Sequence, residues 1–171
     1  MDGEIKKTLL AALGRAIEGE RYGQHFYRMA AGSTEDEKGR STFEAMAQEE
    51  KLHEEFLIAQ ARAIEETGES DSSFSLGDPG ALDGPSPIFS DRVKGRARNA
   101  HGEMMALGIG VQIELSSVNF YKELAEGAPD PEIRTFFEKL VSWESTHYDA
   151  LLRQQQSLRE EYLQDAGFVP F

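Results

Sequence analysis

The chain has 171 residues, of which 39% are hydrophobic and 29% are charged, a composition typical of globular rather than disordered proteins. Its formal net charge of −13 argues against a surface that binds nucleic acid or anionic lipid, and the lack of cysteine excludes disulfides, thiolate metal sites and thiol catalysis. No apolar stretch is long enough to span a bilayer, and residues 1–17 lack the apolar segment of a secretory signal, so we expect a cytoplasmic protein.

Two helices are predicted in the first part of the chain, forming a hairpin over residues 3–67. The first ends at about residue 31, and the second ends at about residue 66, before Gly68. Ser33 and Thr34, with Glu37 three residues after Thr34, have the pattern of a capping box, so we expect the second helix to start there. Because the connection is short, the two helices are predicted to be antiparallel.

Residues 68–88 separate the two halves of the chain, and their glycine, serine, aspartate and proline content predicts a loop. A third helix is predicted from about Ser90 and Asp91 to residue 126, and a fourth from a cap at Asp130 to about residue 164. They form a second hairpin over residues 89–165, which the loop reaches by crossing over. We therefore predict an all-α, up-down four-helix bundle that forms one domain over residues 1–171.

The two halves repeat the same residues at a constant separation of 94 positions, without a gap. The repeated pairs include Glu20 and Glu114, Tyr27 and Tyr121, Glu50 and Glu144, and His53 and His147. Each histidine follows a glutamate by three residues, which places both side chains on one face of a helix. Two such hairpins brought together would gather four carboxylates and two imidazoles around one point, a ligand set for two metal ions.

Heptad spacing places these polar residues among apolar ones. The predicted inner stripes are Phe43, Met46, Glu50, His53, Leu57, Ala61 and Ile64 in the second helix, and Phe137, Leu140, Glu144, His147, Leu151 and Leu158 in the fourth. No arginine or lysine lies on either stripe. Four carboxylates in a bundle core would repel one another and raise one another's pKa values unless cations balance them. The predicted metal ligands are therefore Glu20, Glu50, His53, Glu114, Glu144 and His147.

Two tyrosines accompany the predicted ligands. Tyr27 and Tyr121 lie two turns beyond the glutamates of the first and third helices, and we expect each hydroxyl to bind a carboxylate of the opposite hairpin. This is a supporting role beside the catalytic centre, with direct redox chemistry as the alternative. Glu18 is the rival ligand to Glu20, but its repeat partner is Gln112, so the repeat favours Glu20.

Three other residues near the pattern are expected to have no part in the site. His25 and His101 have no counterpart in the other half of the chain, and both are predicted to lie on the surface. Trp143 aligns with Glu49 and is predicted to pack at a helix interface rather than to serve the metal ligands.

The combined pattern resembles the di-iron site of ferritin-like proteins, in particular the rubrerythrin family. It consists of Glu20 with Tyr27, Glu50-x-x-His53, Glu114 with Tyr121, and Glu144-x-x-His147. The resemblance covers nearly the whole chain and implies a ferritin-like bundle that binds two iron ions, with manganese or mixed metals as alternatives. It also implies that Glu50 and Glu144 bridge the ions. Glu20 and His53 would complete the coordination of one ion, and Glu114 and His147 that of the other.

The sequence departs from rubrerythrins in two respects. It has no cysteine, so the rubredoxin-type electron-transfer domain is expected to be missing, and the electron donor is expected to be an external protein. Rubrerythrins carry an additional glutamate one turn after the third-helix ligand, where this chain has Ser117, and its repeat equivalent is Gly23. The resulting site of six ligands is similar to that of bacterioferritins.

The function predicted from these residues is that of a di-iron oxidoreductase that reduces peroxide or oxidises ferrous iron. The alternatives are iron binding and buffering without turnover, and a structural bundle whose metals only hold the hairpins together. No nucleic-acid or membrane partner is expected. We expect a homodimer rather than a cage, because only about seven residues follow the fourth helix.

Overall fold

The computed structural model of the protein describes residues 2–71, 88–90, 101–128 and 131–165. These residues form four α-helices and no strand; the helices are α1 (Gly3–Ser33), α2 (Glu37–Thr67), α3 (His101–Gly127) and α4 (Pro131–Asp165). α1 packs along α2 and α3 along α4, which confirms the predicted all-α four-helix bundle of two hairpins. Within the described ranges, no helix is both long and apolar enough to cross a membrane.

Three predicted features fall wholly or mostly outside the described residues. They are the beginning of the third helix near Asp91, the cap at Asp130, and most of the loop over residues 68–88.

The start of α2 differs from the prediction. Asp36 is the N-cap residue, and its Oδ1 accepts a hydrogen bond of 2.9 Å from the backbone N–H of Gly39. The Thr34 hydroxyl instead donates to the backbone carbonyl of Ala30 at 2.7 Å, and so it belongs to the end of α1. The predicted cap at Ser33 and Thr34 was wrong because carbonyls at the end of a helix compete for nearby hydroxyl donors.

The repeat extends to contacts at the helix connections. Arg40 Nη2 donates to the backbone carbonyl of Thr34 at 3.2 Å, and Arg134 Nη2 donates to that of Ala128 at the same distance. Both donors and both acceptors are repeat equivalents, so each arginine ties its helix to the preceding turn in the same way. α2 ends before Gly68, as predicted, and Gly68 is its C-cap residue, with φ of 78°, a left-handed conformation that glycine adopts without steric penalty.

Two apolar clusters fill the core, and the predicted ligands lie between them along every helix. One cluster includes Tyr27, Phe43, Leu107 and Leu151, and the other includes Leu13, Leu57, Tyr121 and Leu140. The predicted inner stripes of α2 and α4 are buried throughout, apart from the half-buried Ala61. The polar layer is therefore closed off by packed side chains on both sides.

Residues 88–90, which lie between the two hairpins in the sequence, are anchored on α4 and at the start of α2. Ile88 and Phe89 are buried, and their backbone N–H groups donate to Gln154 Oε1 on α4 at 2.7 and 3.4 Å. Ser90 donates to the Asp36 carboxylate through both its backbone N–H, at 3.1 Å, and its hydroxyl. The Asp36 side chain thus caps α2 and holds the connection at the same time.

Substitution of Gly39 by alanine should detach this anchor. A Cβ atom at Gly39 would lie 2.3 Å from two ring carbons of Phe89, so the buried ring must move. We expect the Gly39→Ala protein to be less stable by about 1–3 kcal/mol, despite the higher helix propensity of alanine. Gly14→Ala is the control, because nothing lies within 4 Å of its added Cβ, and it should be neutral or stabilising. Equal urea-unfolding midpoints for the two variants would contradict this role of Gly39.

Candidate metal centre

All six predicted ligands lie together in the core, and none is more than 3% exposed. They form two groups, Glu20, Glu50, His53 and Glu144, and Glu50, Glu114, Glu144 and His147. In each group, one donor atom from every residue lies within 4.8 Å of the others. Glu50 and Glu144 belong to both groups, which is the arrangement expected of carboxylates shared by two ions.

The two imidazoles face the carboxylates with the same ring nitrogen. His53 Nδ1 lies 3.0 Å from Glu144 Oε1, 3.3 Å from Glu20 Oε2 and 3.6 Å from Glu50 Oε2. The two histidine rings stack on each other with centroids 5.9 Å apart and an angle of 18° between their planes. Nδ1 is therefore the atom that each histidine offers to the centre.

The second histidine stands slightly farther from its carboxylates. His147 Nδ1 lies 3.7 Å from both Glu50 Oε1 and Glu114 Oε2, and 4.0 Å from Glu144 Oε2. All three distances are too long for a hydrogen bond. The space between these atoms is thus lined by carboxylate oxygens and an imidazole nitrogen that form no hydrogen bonds with one another.

The expected partnership of the tyrosines is confirmed. The Tyr27 hydroxyl donates to Glu114 Oε1, and the Tyr121 hydroxyl donates to Glu20 Oε1. Each bond joins one hairpin to the other, and the two bonds are related by the repeat. Each tyrosine therefore fixes the orientation of one carboxylate, whose other oxygen is the one near the histidine of its group.

The four carboxyl groups differ in the direction of their pKa shifts, which is upward for two of them and downward for the other two. Burial, with the charges of Glu114 and Glu20, raises the pKa of Glu50 to about 7, and burial with the charges of Glu20 and Glu50 raises the pKa of Glu144 well above its usual value. Burial also opposes ionisation of Glu20 and Glu114, but hydrogen bonds from histidine and tyrosine outweigh it and lower both pKa values. The expectation that all four would be raised was thus wrong for the two that the tyrosines bind.

Both histidines favour the protonated form when no metal is bound. Burial disfavours the imidazolium ion, but the surrounding carboxylates outweigh it and raise the pKa of His53 and of His147 well above 6.5. Without metal, the pKa values of both histidines and of Glu144 are thus raised, while those of Glu20 and Glu114 are lowered. The raised values favour bound protons, so protons and metal ions compete for the same side chains.

Four buried oxygen and nitrogen atoms make no hydrogen bond among the described residues, although one of them, Glu144 Oε1, lies 3.0 Å from His53 Nδ1; they belong to the four residues of one ligand group. They are Glu50 Oε1, Glu114 Oε2, Glu144 Oε1 and His147 Nδ1. An unsatisfied buried polar atom typically costs about 1–3 kcal/mol. No described lysine or arginine forms an ion pair with these carboxylates. Carboxylate and imidazole donors suit iron or manganese, so the donor set fits a pair of divalent ions.

Sequence reasoning missed Glu49. Its side chain is buried, and its Oε2 lies 2.6 Å from His147 Nε2, the ring nitrogen opposite the one that faces the centre. The repeat equivalent of Glu49 is Trp143 rather than a second carboxylate, so a search based on repeated residues passes over it. The available signal was its place directly before Glu50, which turns its side chain toward the neighbouring hairpin.

The remaining predictions concern residues outside the ligand groups. His25 and His101 are exposed, as predicted, and Glu18, the rival ligand to Glu20, is exposed as well. Trp143 is buried at a helix interface as predicted, but it also contacts the site, because its ring meets the His53 ring edge-on with centroids 4.9 Å apart.

Comparison with known proteins supports the resemblance read from the ligand pattern. Residues 11–76 match the family model described as Rubrerythrin. No curated protein and no solved structure gives a significant match to the chain. The matched segment contains three of the six predicted ligands, Glu20, Glu50 and His53, and the second hairpin repeats them at Glu114, Glu144 and His147. The chain is thus rubrerythrin-like in its first hairpin and carries the same pattern again in its second.

Proposed function

We propose that this protein is a di-iron oxidoreductase of rubrerythrin type that reduces peroxide at a carboxylate-bridged dimetal centre. The observation that carries the proposal is the buried group of Glu50, Glu114, Glu144 and His147, each with an oxygen or nitrogen atom that makes no hydrogen bond among the described residues. The rubrerythrin match over the first hairpin supports iron as the metal.

Each side chain has a definite role in this proposal. Glu50 and Glu144 are shared by both ligand groups and would bridge the ions. Glu20 with His53, and Glu114 with His147, would complete the two coordination sets. When bound, two ferrous ions supply the two electrons needed to reduce peroxide to water. The protein orients the ligands, excludes bulk water, and holds the proton of each tyrosine against a carboxylate.

Oxidation of ferrous iron as the substrate is the second candidate, and it is favoured by the ligand count. Neither Gly23 nor Ser117 offers the seventh carboxylate that distinguishes rubrerythrins. At Gly23 even a Cβ atom would lie 3.3 Å from the Glu50 side chain, so α1 has little room for a larger residue there. A six-ligand site leaves open positions at which O₂ and peroxide can both react.

Stopped-flow absorbance of the anaerobic diferrous protein mixed with hydrogen peroxide or O₂ distinguishes the candidates. We expect peroxide to oxidise the centre faster, with one oxidation per centre and renewed turnover only when a reductase and a redox carrier are added. Glu20→Gln should slow the reaction, because it removes a charged ligand. Glu18→Gln should not, because Glu18 is exposed on the same helix.

Other outcomes would favour the other functions. If O₂ reacts as fast as peroxide and ferric iron then leaves the protein, the ferroxidase function is correct. If bound iron is not oxidised by either reagent, the centre is structural or only stores iron. Ser117→Glu should shift the preference further toward peroxide, because it adds a carboxylate one turn after Glu114.

A further inference from the structure

The repeat fails at one core position, and the failure affects the two histidines differently. Glu49 and Trp143 are repeat equivalents, both buried, at 8% and 6% exposure, and each directly precedes a shared glutamate. Each contacts the histidine of the other hairpin. Glu49 places a carboxylate oxygen 2.6 Å from His147 Nε2, whereas Trp143 presents an aromatic ring to His53.

These contacts give the two imidazoles different chemistry. When the Nε2–H of His147 donates to Glu49, Nδ1 is the nitrogen that remains to bind a metal, and it lies 3.7 Å from both Glu50 Oε1 and Glu114 Oε2. A carboxylate bound to the far nitrogen fixes the tautomer and the ring orientation, and it makes the near nitrogen a stronger donor to a metal. Glu49 therefore prepares His147 for metal binding.

His53 has no equivalent support. Its Nδ1 faces the carboxylates, but its Nε2 is buried and has no hydrogen-bond partner among the described residues. The Trp143 ring, which packs against the His53 ring at 75° with centroids 4.9 Å apart, carries an N–H donor but no acceptor for a proton on Nε2. The same position of the repeat thus places a charged residue, Glu49, beside His147 and an aromatic residue, Trp143, beside His53.

We propose that Glu49 makes the two metal positions unequal, so that the position formed with His147 fills first and binds its ion more tightly. This inference rests on the proposed dimetal centre. Glu49 acts as a positioning residue, since it touches the ligand and not the ion. Loss of such a partner typically weakens metal binding by about 10–100-fold, which sets the expected size of the difference.

Zinc titration of the metal-free protein, followed by NMR of ¹⁵N-labelled histidine side chains, tests the order of filling. In a centre with equivalent halves, the first Zn²⁺ would divide equally between the two histidines. We expect the ring signals of His147 to change during the first equivalent and those of His53 during the second. This measurement needs no variant, so it does not depend on how a substitution folds.

Isothermal titration of variants with Zn²⁺ tests the cause. Glu49→Gln keeps the shape and an acceptor oxygen but loses the charge, so we expect the tighter dissociation constant to rise by about 10-fold. The weaker constant should change little. Trp143→Phe, the matched change at the repeat position, keeps an aromatic contact with His53 and should leave the tighter constant unaltered.

The outcomes separate this inference from the proposed function. Two bound Zn²⁺ ions with simultaneous changes at both histidines, or with His53 first, would overturn the inference and leave the dimetal centre in place. An unchanged tighter constant in Glu49→Gln would also overturn it. Failure of the wild-type protein to bind two ions would remove the proposed function itself.

Discussion

At about pH 8 the metal-free protein is expected to unfold at a lower temperature than at about pH 5.5, and bound divalent ions are expected to reverse this order. The reason lies in the pKa values of Glu50 and Glu144, which are raised in the folded state. Such a carboxyl group contributes stability that is fully present below its usual pKa of 4.5. For Glu50 this contribution is lost as the pH rises to about 7 and beyond.

Because of the histidines, the loss of stability continues to higher pH. At low pH, two of the glutamates limit the stability of the metal-free protein. The raised pKa values of His53 and His147 contribute stability that begins to be lost only above pH 6.5. The lowered pKa values of Glu20 and Glu114 contribute stability that is present above 4.5 and lost below it. The centre therefore stabilises the metal-free fold most in mild acid.

Metal loading should invert the dependence on pH because ions compete with the protons held by the ligands. Binding requires neutral histidines and ionised glutamates, so a higher pH favours the loaded state. Thermal unfolding followed by circular dichroism, with chelator or with Zn²⁺, gives both curves. Equal melting temperatures for the metal-free protein at the two pH values would contradict the convergence of the glutamates.

The double variant Glu50→Gln, Glu144→Gln is expected to bind metal poorly at both positions and yet to be more stable than the wild type when no metal is present. Both glutamates belong to both ligand groups, so neither position keeps its full donor set. Because a neutral amide replaces a carboxyl group that resists ionisation, the Glu50 substitution alone should stabilise the metal-free protein by about 3 kcal/mol at pH 8.

The chain offers a closely matched control for this double variant. Glu44 and Glu138 are also repeat equivalents on α2 and α4, but both are exposed. Glu44→Gln with Glu138→Gln makes the same change in charge outside the core, so it should alter neither metal affinity nor metal-free stability by more than about 0.5 kcal/mol. Urea unfolding and Zn²⁺ titration of the two double variants give the comparison. Similar behaviour of the pair would show that burial of Glu50 and Glu144 does not determine their effect.

The fold and most of the candidate centre could be predicted from the sequence because two signals coincide there. Apolar residues recur at helical spacing, and the glutamates and histidines recur at the same register in both hairpins. Glu20 could be preferred to Glu18 only because repeat partners can be compared, and the structure places Glu20 in the core and Glu18 at the surface. The hydrogen bond of each tyrosine to the opposite hairpin followed from the same symmetry.

What the sequence did not predict depends on contacts that break or lie outside that symmetry. Glu49 and Trp143 differ between the halves, so a comparison of repeats assigns neither of them to the centre. Whether the pKa of a carboxyl group is raised or lowered depends on which of its oxygens lies within hydrogen-bond distance of a tyrosine or histidine donor, and the sequence does not give such distances. The N-cap at Asp36 was missed because Thr34 and Asp36 are both good caps, and only the fold decides between them.

The crossed bonds from Tyr27 to Glu114 and from Tyr121 to Glu20 have the form of an isologous interface, in which each partner gives the contact that it receives. One hairpin is thus equivalent to the protomer of a two-fold dimer, and the chain is such a dimer fused end to end. In a dimer of identical protomers, every substitution appears on both sides of the axis. Fusion removes that constraint. A single chain can carry Glu49 in one hairpin and Trp143 at the equivalent position of the other, which two identical hairpins cannot do.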